Sequence, residues 1–188
     1  MSVNRPTVTL TSQAEAFITS VLALNAKVAV FDCDGTLWDR DSGEHFLYWE
    51  LQRGLLPAEV ERWIRPRYRD YLAGKVEEEP ICGEMVTIHD GIPESLLESA
   101  AAEFFAERVE PFTFPEMLEL THRLTDAGCE LWAVSSTNDW VVREGARRFG
   151  IPRERVVAAC VHVENGRATG RLLRVPTGEG KAIAIREL

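Results

Sequence analysis

The sequence is poor in cysteine and in long apolar stretches. Its four cysteines stand at positions 33, 82, 129 and 160, without any C-x-x-C pair. Such spacing disfavours a disulfide framework or a zinc site, and predicts buried thiols in a reducing compartment. The first residues, MSVNRPTVTLTSQAEAF, lack the apolar core of a signal peptide. No stretch approaches the roughly 18 apolar residues of a membrane span. We therefore expect a cytoplasmic protein without a membrane partner.

The sequence also lacks a basic cluster. Its formal net charge is −9, and its 21 Lys and Arg residues are scattered along the chain. A nucleic-acid partner would need a basic face, so none is expected. Any phosphate-bearing ligand would need local help from a cation or from backbone N–H groups. With 188 residues, 45% of them hydrophobic, the chain is long enough for one well-packed domain with a smaller inserted module.

No internal repeat or low-complexity linker is present, but the pattern changes along the chain. Residues 12–23 have helical spacing, and residues 27–31 are a short buried strand. Residues 43–110 are helical throughout and poor in strand signals. This order predicts an α/β fold with an open, mostly parallel sheet in a core made of residues 1–42 and 111–188, and a helical cap over 43–110.

The C-terminal part alternates between helices and strands. "FPEMLELTHRLTDAG" and "DWVVREGARRFG" are predicted helices that end at glycine, and each precedes an apolar strand, "CELWAVS" and "RVVAACVHV". An Asn-Gly turn in "ENGR" predicts a hairpin. "GEGKAIAIREL" begins a further helix.

The stretch "KVAVFDCDGTLWDRDSGE" places acids directly after a buried strand. Ligands of parallel sheets bind beyond the carboxyl ends of the strands. If the backbone stays extended, Asp32 and Asp34 point to the same side, where two carboxylates repel unless a cation relieves them. A hard cation with oxygen ligands, most simply Mg²⁺, fits this pair. Gly35 would let the chain turn close to a bound ligand.

Other interpretations of these acids remain open on this stretch alone. A solvated turn after a strand has the same composition. Residues 39–50 partly match a calcium-binding loop, but Gly43 and Glu44 occupy positions where Asp/Asn and Gly belong. "PTGEGKA" ends like a phosphate-binding loop, yet Val175 replaces its first glycine and Ala182 its Ser/Thr. An aspartate that becomes phosphorylated is a further possibility.

Two other segments favour a phosphoryl site. "ELWAVSSTNDW" ends a strand in hydroxyl and amide residues before a helix, which suits either an anion site or plain N-capping. Lys181 stands near the beginning of a helix, where a cation is poorly placed for the helix dipole. On its own, Lys181 could simply be solvated, but a strand ending in acids, a strand ending in hydroxyl residues and a lysine at a helix start, in that order, are unlikely to coincide by chance.

Three motifs carry a resemblance to a known family. "FDCDGTLW", "AVSST" and "GEGKA" resemble, in order and spacing, the first three motifs of the haloacid dehalogenase (HAD) superfamily. The hairpin segment is similar to that of its phosphoserine-phosphatase-like branch (subfamily IB). The resemblance covers roughly residues 25–188, and it implies a Rossmann-like core with an inserted helical cap.

The resemblance also implies roles for individual residues. Asp32 is the expected nucleophile and Asp34 the general acid/base, while Lys181 offsets charge on the nucleophile and phosphate. The Asp32 carboxylate and the Asp34 carbonyl are the expected Mg²⁺ ligands. The residues expected to bind the phosphoryl group are Ser135, Ser136, Gly35 and Thr36.

These roles imply a Mg²⁺-dependent phosphatase that hydrolyses a small phosphate monoester through a phospho-aspartate. A phosphotransferase or phosphomutase would use the same scaffold, and a receiver-like signalling domain combines similar residues without the helical insertion. The family's fourth, acidic motif should follow the lysine by a few dozen residues, whereas this sequence ends at Leu188. We therefore expect a truncated chain that is weakly active or inactive, or a homologue that only binds its ligand.

The cap departs from the phosphoserine phosphatases in a second way. Met85 aligns with the arginine that would hold a substrate carboxylate, and Asp41 aligns with the acid that meets the substrate amine. Glu44 is a close neighbour of Asp41. This pattern favours an amine-bearing phosphate ester without a carboxylate. The aromatic residues considered for packing against its cationic head are Trp38, Phe46 and Trp49, although such rings more often belong to the core of the cap. No oligomeric state is predicted.

Overall fold

A four-stranded sheet forms the centre of the computed structural model, which describes residues 9–186. The strands are β1 (Val28–Phe31), β2 (Glu130–Asn138), β3 (Val156–Glu164) and β4 (Arg167–Arg174). They follow one another in the order β1-β2-β3-β4; the first three are parallel and β4 is antiparallel to β3. The predicted α/β class and mostly parallel sheet are confirmed.

Eight α-helices surround this sheet or form the insertion after β1. They are α1 (Ser12–Leu22), α2 (Ser42–Arg53), α3 (Ala58–Leu72), α4 (Glu78–Thr87), α5 (Glu94–Phe104), α6 (Pro115–Asp126), α7 (Asp139–Arg148) and α8 (Glu179–Arg186). A π-helix (Phe105–Val109) and two 3₁₀ turns (Glu110–Phe112 and Arg153–Arg155) complete the described elements. Over the range 9–186, no helix is long and apolar enough to cross a membrane.

The register of the parallel strands places the motifs at one edge of the sheet. Phe31, the last residue of β1, pairs with Ala133 in β2. Because parallel strands end at the same edge, the chain beyond Phe31 emerges beside residues 135–138. Strand β2 extends to Asn138, three residues beyond the predicted strand, so the hydroxyl residues belong to the strand itself.

The predicted hairpin is present between β3 and β4. Its turn residues Asn165 and Gly166 have φ values of 51° and 73°, as an Asn-Gly hairpin turn requires. Strand β4 also holds the turn between α4 and α5: the Gly91 N–H donates to the Ala168 carbonyl at 2.8 Å, and the Ala168 N–H donates to the Ile92 carbonyl at 2.9 Å. The insertion is thus attached to the sheet by main-chain hydrogen bonds.

Apolar side chains form two separate clusters. The larger one packs on the sheet and includes α5, the π-helix and α7. The smaller one joins α2, α3 and α4; its buried members are Leu47, Leu51, Leu56, Ile64, Tyr68, Ile81 and Ile88. Helices α2–α4 therefore have a hydrophobic core of their own. The exact boundaries of the cap, 43–110, stay a prediction.

A buried ion pair connects the insertion internally. His89, in the turn after α4, lies with its Nε2 2.6 Å from Oε1 of Glu50 in α2. Nδ1 of His89 lies 3.1 Å from the Val86 carbonyl, as a donor N–H would. Both side chains are almost fully buried, at 0% and 1% exposure. The His89 ring also packs edge-on against Trp140 of α7, so the pair lies where the insertion meets the core.

Gly145 in α7 is required by close packing. A Cβ at this position would lie 2.5 Å from the Phe105 ring and 2.7 Å from the Trp38 ring. We expect Gly145→Ala to lower the free energy of unfolding by about 2 kcal/mol, because the rings must shift to admit the methyl group. Urea denaturation measures this. Gly180→Ala in α8 has ordinary contacts and should change stability by less than about 0.5 kcal/mol; equal effects of the two would contradict the prediction.

Candidate active site

Asp32 lies directly beyond β1 and is paired with a lysine. Lys181, in the first turn of α8, places Nζ 2.8 Å from Oδ1 of Asp32. The Asp32 side chain is 46% exposed, and its Oδ2 accepts no hydrogen bond from residues 9–186. The lysine predicted to lie near the nucleophile is therefore beside it, and one carboxylate oxygen is available for a ligand.

Asp34 is held by donors from three parts of the chain. Its Oδ1 accepts hydrogen bonds from Trp38 Nε1 at 2.6 Å, from Ser42 Oγ at 2.6 Å and from the Ser42 N–H at 3.1 Å. Its Oδ2 accepts from Thr137 Oγ1 at 2.9 Å. Ser42 begins α2 and Thr137 belongs to β2. The carboxyl group is thereby fixed at the junction of the core and the insertion.

The surroundings of Asp34 suit a group that carries a proton. Burial raises the pKa of the Asp34 carboxyl above its ordinary value, and the nearby Asp41 adds to this shift. Hydrogen bonds from Ser42 and Trp38 oppose it by stabilising the anion. A raised pKa brings the carboxyl closer to the range in which it can both donate and accept a proton.

A tight turn connects Asp34 to Trp38. Gly35 has φ +72°, which favours glycine, and its N–H donates to the Trp38 carbonyl at 2.8 Å. The Thr36 N–H donates to the Cys33 carbonyl at 3.0 Å. Both N–H groups are therefore used within the turn. Contact of Gly35 and Thr36 with phosphate stays a prediction. Because both N–H groups are used, the Thr36 hydroxyl is the group of this pair that would donate to the phosphate.

The hydroxyl residues of β2 divide between inner and outer positions. Ser135 is buried, and its Oγ accepts the Thr137 N–H at 3.2 Å. Ser136 is half-buried and faces a cavity below the insertion. Asn138 caps α7, with its side-chain oxygen accepting the Val141 N–H at 3.1 Å. The N-capping interpretation thus holds for Asn138, while phosphoryl binding by Ser135 and Ser136 stays a prediction.

A cavity of about 160 Å³ lies between Asp34 and the insertion. It brings together the three predicted substrate residues Asp41, Glu44 and Met85 with Ser136 of β2. Its other lining residues are Gly43, Tyr68, Tyr71, Glu78, Ile81, Cys82, Thr137 and Asn138. Four carboxyl groups and no lysine or arginine are found among the described residues that line it. The cavity is therefore electrostatically suited to a cationic group.

The aromatic residues in this cavity differ from the predicted ones. The side chains considered for this role, Trp38, Phe46 and Trp49, are at most 4% exposed. They pack in the larger apolar cluster, so they do not contact a ligand in this cavity. Of the two interpretations of these rings, packing in the apolar core is the one that the structure shows. The tyrosines of α3, Tyr68 and Tyr71, line the cavity instead. Helical periodicity alone gave no signal that distinguishes cavity-lining rings from core rings.

No side-chain cluster in the described part of the chain is a ready-made metal site. No group of three or more His, Cys, Asp or Glu side chains there is arranged to hold a metal ion. Mg²⁺, however, commonly binds through one or two carboxylates and keeps several waters. The exposed carboxylate of Asp32, next to the Asp34 backbone, is a donor set of the hard oxygen type that fits this ion.

Comparison with known proteins identifies the family. Residues 29–188 match the haloacid dehalogenase-like hydrolase family. The chain belongs to this family. The resemblance drawn from the three motifs is confirmed, and so is the prediction that the chain is an enzyme, a hydrolase.

Individual relatives of this HAD protein support the same placement. It is 28% identical over 165 residues to a histidinol-phosphatase of Neisseria meningitidis serogroup C (strain 8013), which covers 85% of this chain and 72% of the relative. A solved protein of unknown function from Bordetella pertussis Tohama I superposes with a TM-score of 0.72 at 24% identity, covering 86% of this chain and 73% of the other.

A phosphoserine phosphatase structure, solved as a phospho-aspartyl intermediate analogue, shares the fold. Its TM-score is 0.55 at 20% identity, over 86% of this chain and 70% of the other. The predicted Rossmann-like core is thereby confirmed at the level of the fold.

Proposed function

We propose that this HAD protein is a Mg²⁺-dependent phosphatase that hydrolyses a small, amine-bearing phosphate monoester through a phospho-aspartate on Asp32. One observation carries the proposal: an exposed carboxylate beyond β1, paired at 2.8 Å with Lys181, lies two residues before a partly buried carboxyl whose pKa is raised. This arrangement supplies a nucleophile, a charge partner and a proton donor.

In the first half-reaction, Asp32 attacks phosphorus. Its Oδ2 forms the new P–O bond, while the P–O bond to the ester oxygen breaks. The leaving alkoxide takes the proton of the Asp34 carboxyl and departs as an alcohol. Lys181 neutralises part of the charge that gathers on the nucleophile and the phosphoryl oxygens, which is the main form of catalysis open to a protein in phosphoryl transfer.

In the second half-reaction, Asp34 acts as the base. It takes a proton from a water molecule, which attacks phosphorus and releases inorganic phosphate together with the free Asp32 carboxylate. Asp34 ends protonated and is ready for the next turnover. Hydrogen bonds from Ser42, Trp38 and Thr137 hold the Asp34 carboxyl in one position in both steps. This lowers the entropic cost of reaching the reactive geometry.

Mg²⁺ fits beside these groups. The Asp32 carboxylate and the Asp34 backbone carbonyl are the residues that would hold it, with water and phosphoryl oxygens in the other positions. When bound, Mg²⁺ supplies positive charge to the phosphoryl oxygens. The need for it is strong in a protein with a net charge of −9, because a phosphate dianion would otherwise be repelled from the acidic cavity.

The charges of the cavity support an amine-bearing substrate. Asp41 and Glu44 at the beginning of α2, and Glu78 at the beginning of α4, face the cavity together with two tyrosines. A substrate ammonium group would interact with carboxylates and ring faces there. Met85 offers no charge to a substrate carboxylate. Histidinol phosphate has these properties, and the relative from Neisseria meningitidis bears the name histidinol-phosphatase.

Phosphate release measured with and without metal tests the chemistry. With L-histidinol phosphate as the substrate, we expect turnover in Mg²⁺ and a loss of at least ~100-fold after chelation, reversed by added Mg²⁺. Release of inorganic phosphate, rather than its appearance on an added alcohol, distinguishes hydrolysis from phosphotransfer. Turnover that survives full chelation would contradict the proposed role of the cation.

The same assay, run over matched esters, tests the substrate class. Phosphoethanolamine and ethyl phosphate differ only in the ammonium group, and phosphoserine adds a carboxylate to the amine. We expect kcat/KM for phosphoethanolamine to exceed that for ethyl phosphate by at least ~10-fold, the value of one charged hydrogen bond. Phosphoserine should be the poorer amine substrate. Equal turnover of the two ethyl esters would contradict an amine-binding cavity.

A further inference from the structure

A second, larger cavity opens on the opposite side of α2 from the catalytic one. It has a volume of about 520 Å³, within the range of small-molecule sites. We call it the crossover cleft, because it lies where the chain passes from the core into the insertion and back. Its lining residues are Arg40, His45, Tyr48, Trp49, Gln52, Glu107, Arg108, Pro111 and Phe112. None of them lines the catalytic cavity.

The two walls of the crossover cleft are built differently. On one side, His45, Tyr48, Trp49 and Gln52 follow the i, i+3, i+4, i+7 spacing of one face of α2. The other side consists of the π-helix Phe105–Val109 and the 3₁₀ turn after it. π-Helices are rare and occur frequently at functional sites. Here the π-helix places Arg108 on the rim of the cleft.

The cations of the cleft lack close carboxylate partners. Arg40 donates from Nη1 only to the Asp39 carbonyl, and its guanidinium lies 3.2 Å from the centre of the Phe112 ring. Arg108 lies 3.8 Å from Glu107. That glutamate is shared with Arg53, at the shorter distance of 2.9 Å.

The lining residues of the cleft include two arginines and one carboxylate, that of Glu107. In a chain with a net charge of −9, a cleft with more arginine than carboxylate in its lining is a local positive site. Such a site attracts anions, and guanidinium groups bind carboxylates through paired hydrogen bonds.

We propose that the crossover cleft binds a small aromatic anion. The anionic group would lie between Arg40 and Arg108, and the flat ring would lie against Tyr48 of α2. The proposal is independent of the phosphatase chemistry, since it involves no residue of the catalytic cavity. The cleft is linked to the catalytic cavity through neighbouring residues. The Asp39 N–H donates to the carbonyl of Phe112 in the cleft at 2.8 Å, and Nε1 of the adjacent Trp38 donates to Asp34.

Titration with a defined probe tests the proposal. The probe is 1-naphthoate, followed by isothermal calorimetry, and its charge-reversed control is 1-naphthylmethylammonium, which has the same ring. We expect saturable 1:1 binding of the naphthoate, at least ~5-fold weaker in Arg40→Ala and in Arg108→Ala, because each loses a charged hydrogen bond. Arg62→Ala, which removes an exposed arginine of α3 paired with Glu59, should bind like the parent.

Either of two results would overturn the proposal. One is the absence of saturable binding up to about 10 mM naphthoate, the weak end of specific affinity. The other is equal affinity in the parent, Arg40→Ala and Arg108→Ala, which would place the probe elsewhere. Thermal unfolding of each variant checks that it is folded, and two arginine variants at separate positions keep the test valid if one of them fails to fold.

Discussion

Asp32→Asn is expected to lower kcat for phosphate release by at least ~10³-fold, because a carboxamide cannot form the phospho-enzyme bond. The variant keeps the size of the side chain, and an amide oxygen can still accept the hydrogen bond from Lys181, so folding should be unaffected. Steady-state phosphate release gives kcat, and acid quenching followed by intact-protein mass spectrometry detects one phosphoryl group on the parent. The variant should carry none.

The matched control is Asp39→Asn. Asp39 is an exposed acid seven residues further along, and its backbone rather than its carboxylate contributes the hydrogen bond to Phe112. We expect it to retain kcat within about twofold, as surface changes away from a site do. A kcat of Asp32→Asn above one tenth of the parent's value would remove Asp32 from the role of nucleophile.

The second large effect concerns stability. His89→Ala is expected to lower the free energy of unfolding by about 3–5 kcal/mol, because it leaves Glu50 buried without its partner. It also removes a ring that packs against Phe46 and Trp140. Urea denaturation followed by circular dichroism measures the change. His162→Ala, which truncates an exposed histidine of β3, should cost less than about 0.5 kcal/mol.

The same pair gives stability a pH dependence. The Glu50 carboxylate at 2.6 Å raises the pKa of His89 against the opposing effect of burial, and burial raises the pKa of Glu50. Both shifts mean that the folded pair binds its protons more tightly than the unfolded chain does. The contribution is therefore fully present below the ordinary histidine pKa of about 6.5 and is lost as pH rises through the raised pKa.

Unfolding free energies between about pH 6 and pH 9 test this sign. The parent should lose stability over that interval more steeply than the double variant Glu50→Gln/His89→Gln, in which both buried proton-binding groups are gone. Carboxylates with ordinary pKa values are ionised in both states across this range, so they contribute little slope. Parallel curves for the two proteins would show that the pair binds protons no more tightly when folded.

Much of the neighbourhood of Asp32 could be predicted from the sequence. An apolar strand fixes the direction of the chain, and parallel strands end at one edge, so Asp32 and Ser135 had to emerge close together. On its own, Lys181 could have been a solvated residue at a helix start; its order after the acid and hydroxyl motifs and the resemblance to the HAD family placed it near Asp32. The placement of Asp32 and Ser135 uses only local pattern and sheet geometry, which a single sequence contains.

The surroundings of Asp34 were not predictable in the same way. Its bond to Trp38 depends on the tight turn at Gly35, and its bonds to Ser42 and Thr137 depend on how α2 meets β2. Likewise, Tyr68 lines the cavity only because α3 packs on α4. Such contacts depend on the angles between elements, for which periodicity carries no signal. The contacts of the arginines in the crossover cleft belong to the same class.

The register of β1 has a consequence for how the chain folds. Val28 pairs with Glu130, so the first strand closes a loop of about a hundred residues before it gains a partner. Relative to a loop of about ten residues, that closure costs about 2 kcal/mol more in chain entropy. Helices α2–α4 have their own apolar cluster, and their prior collapse shortens the loop. A newly made chain therefore gains most by collapsing helices α2–α4 before β1 pairs with β2.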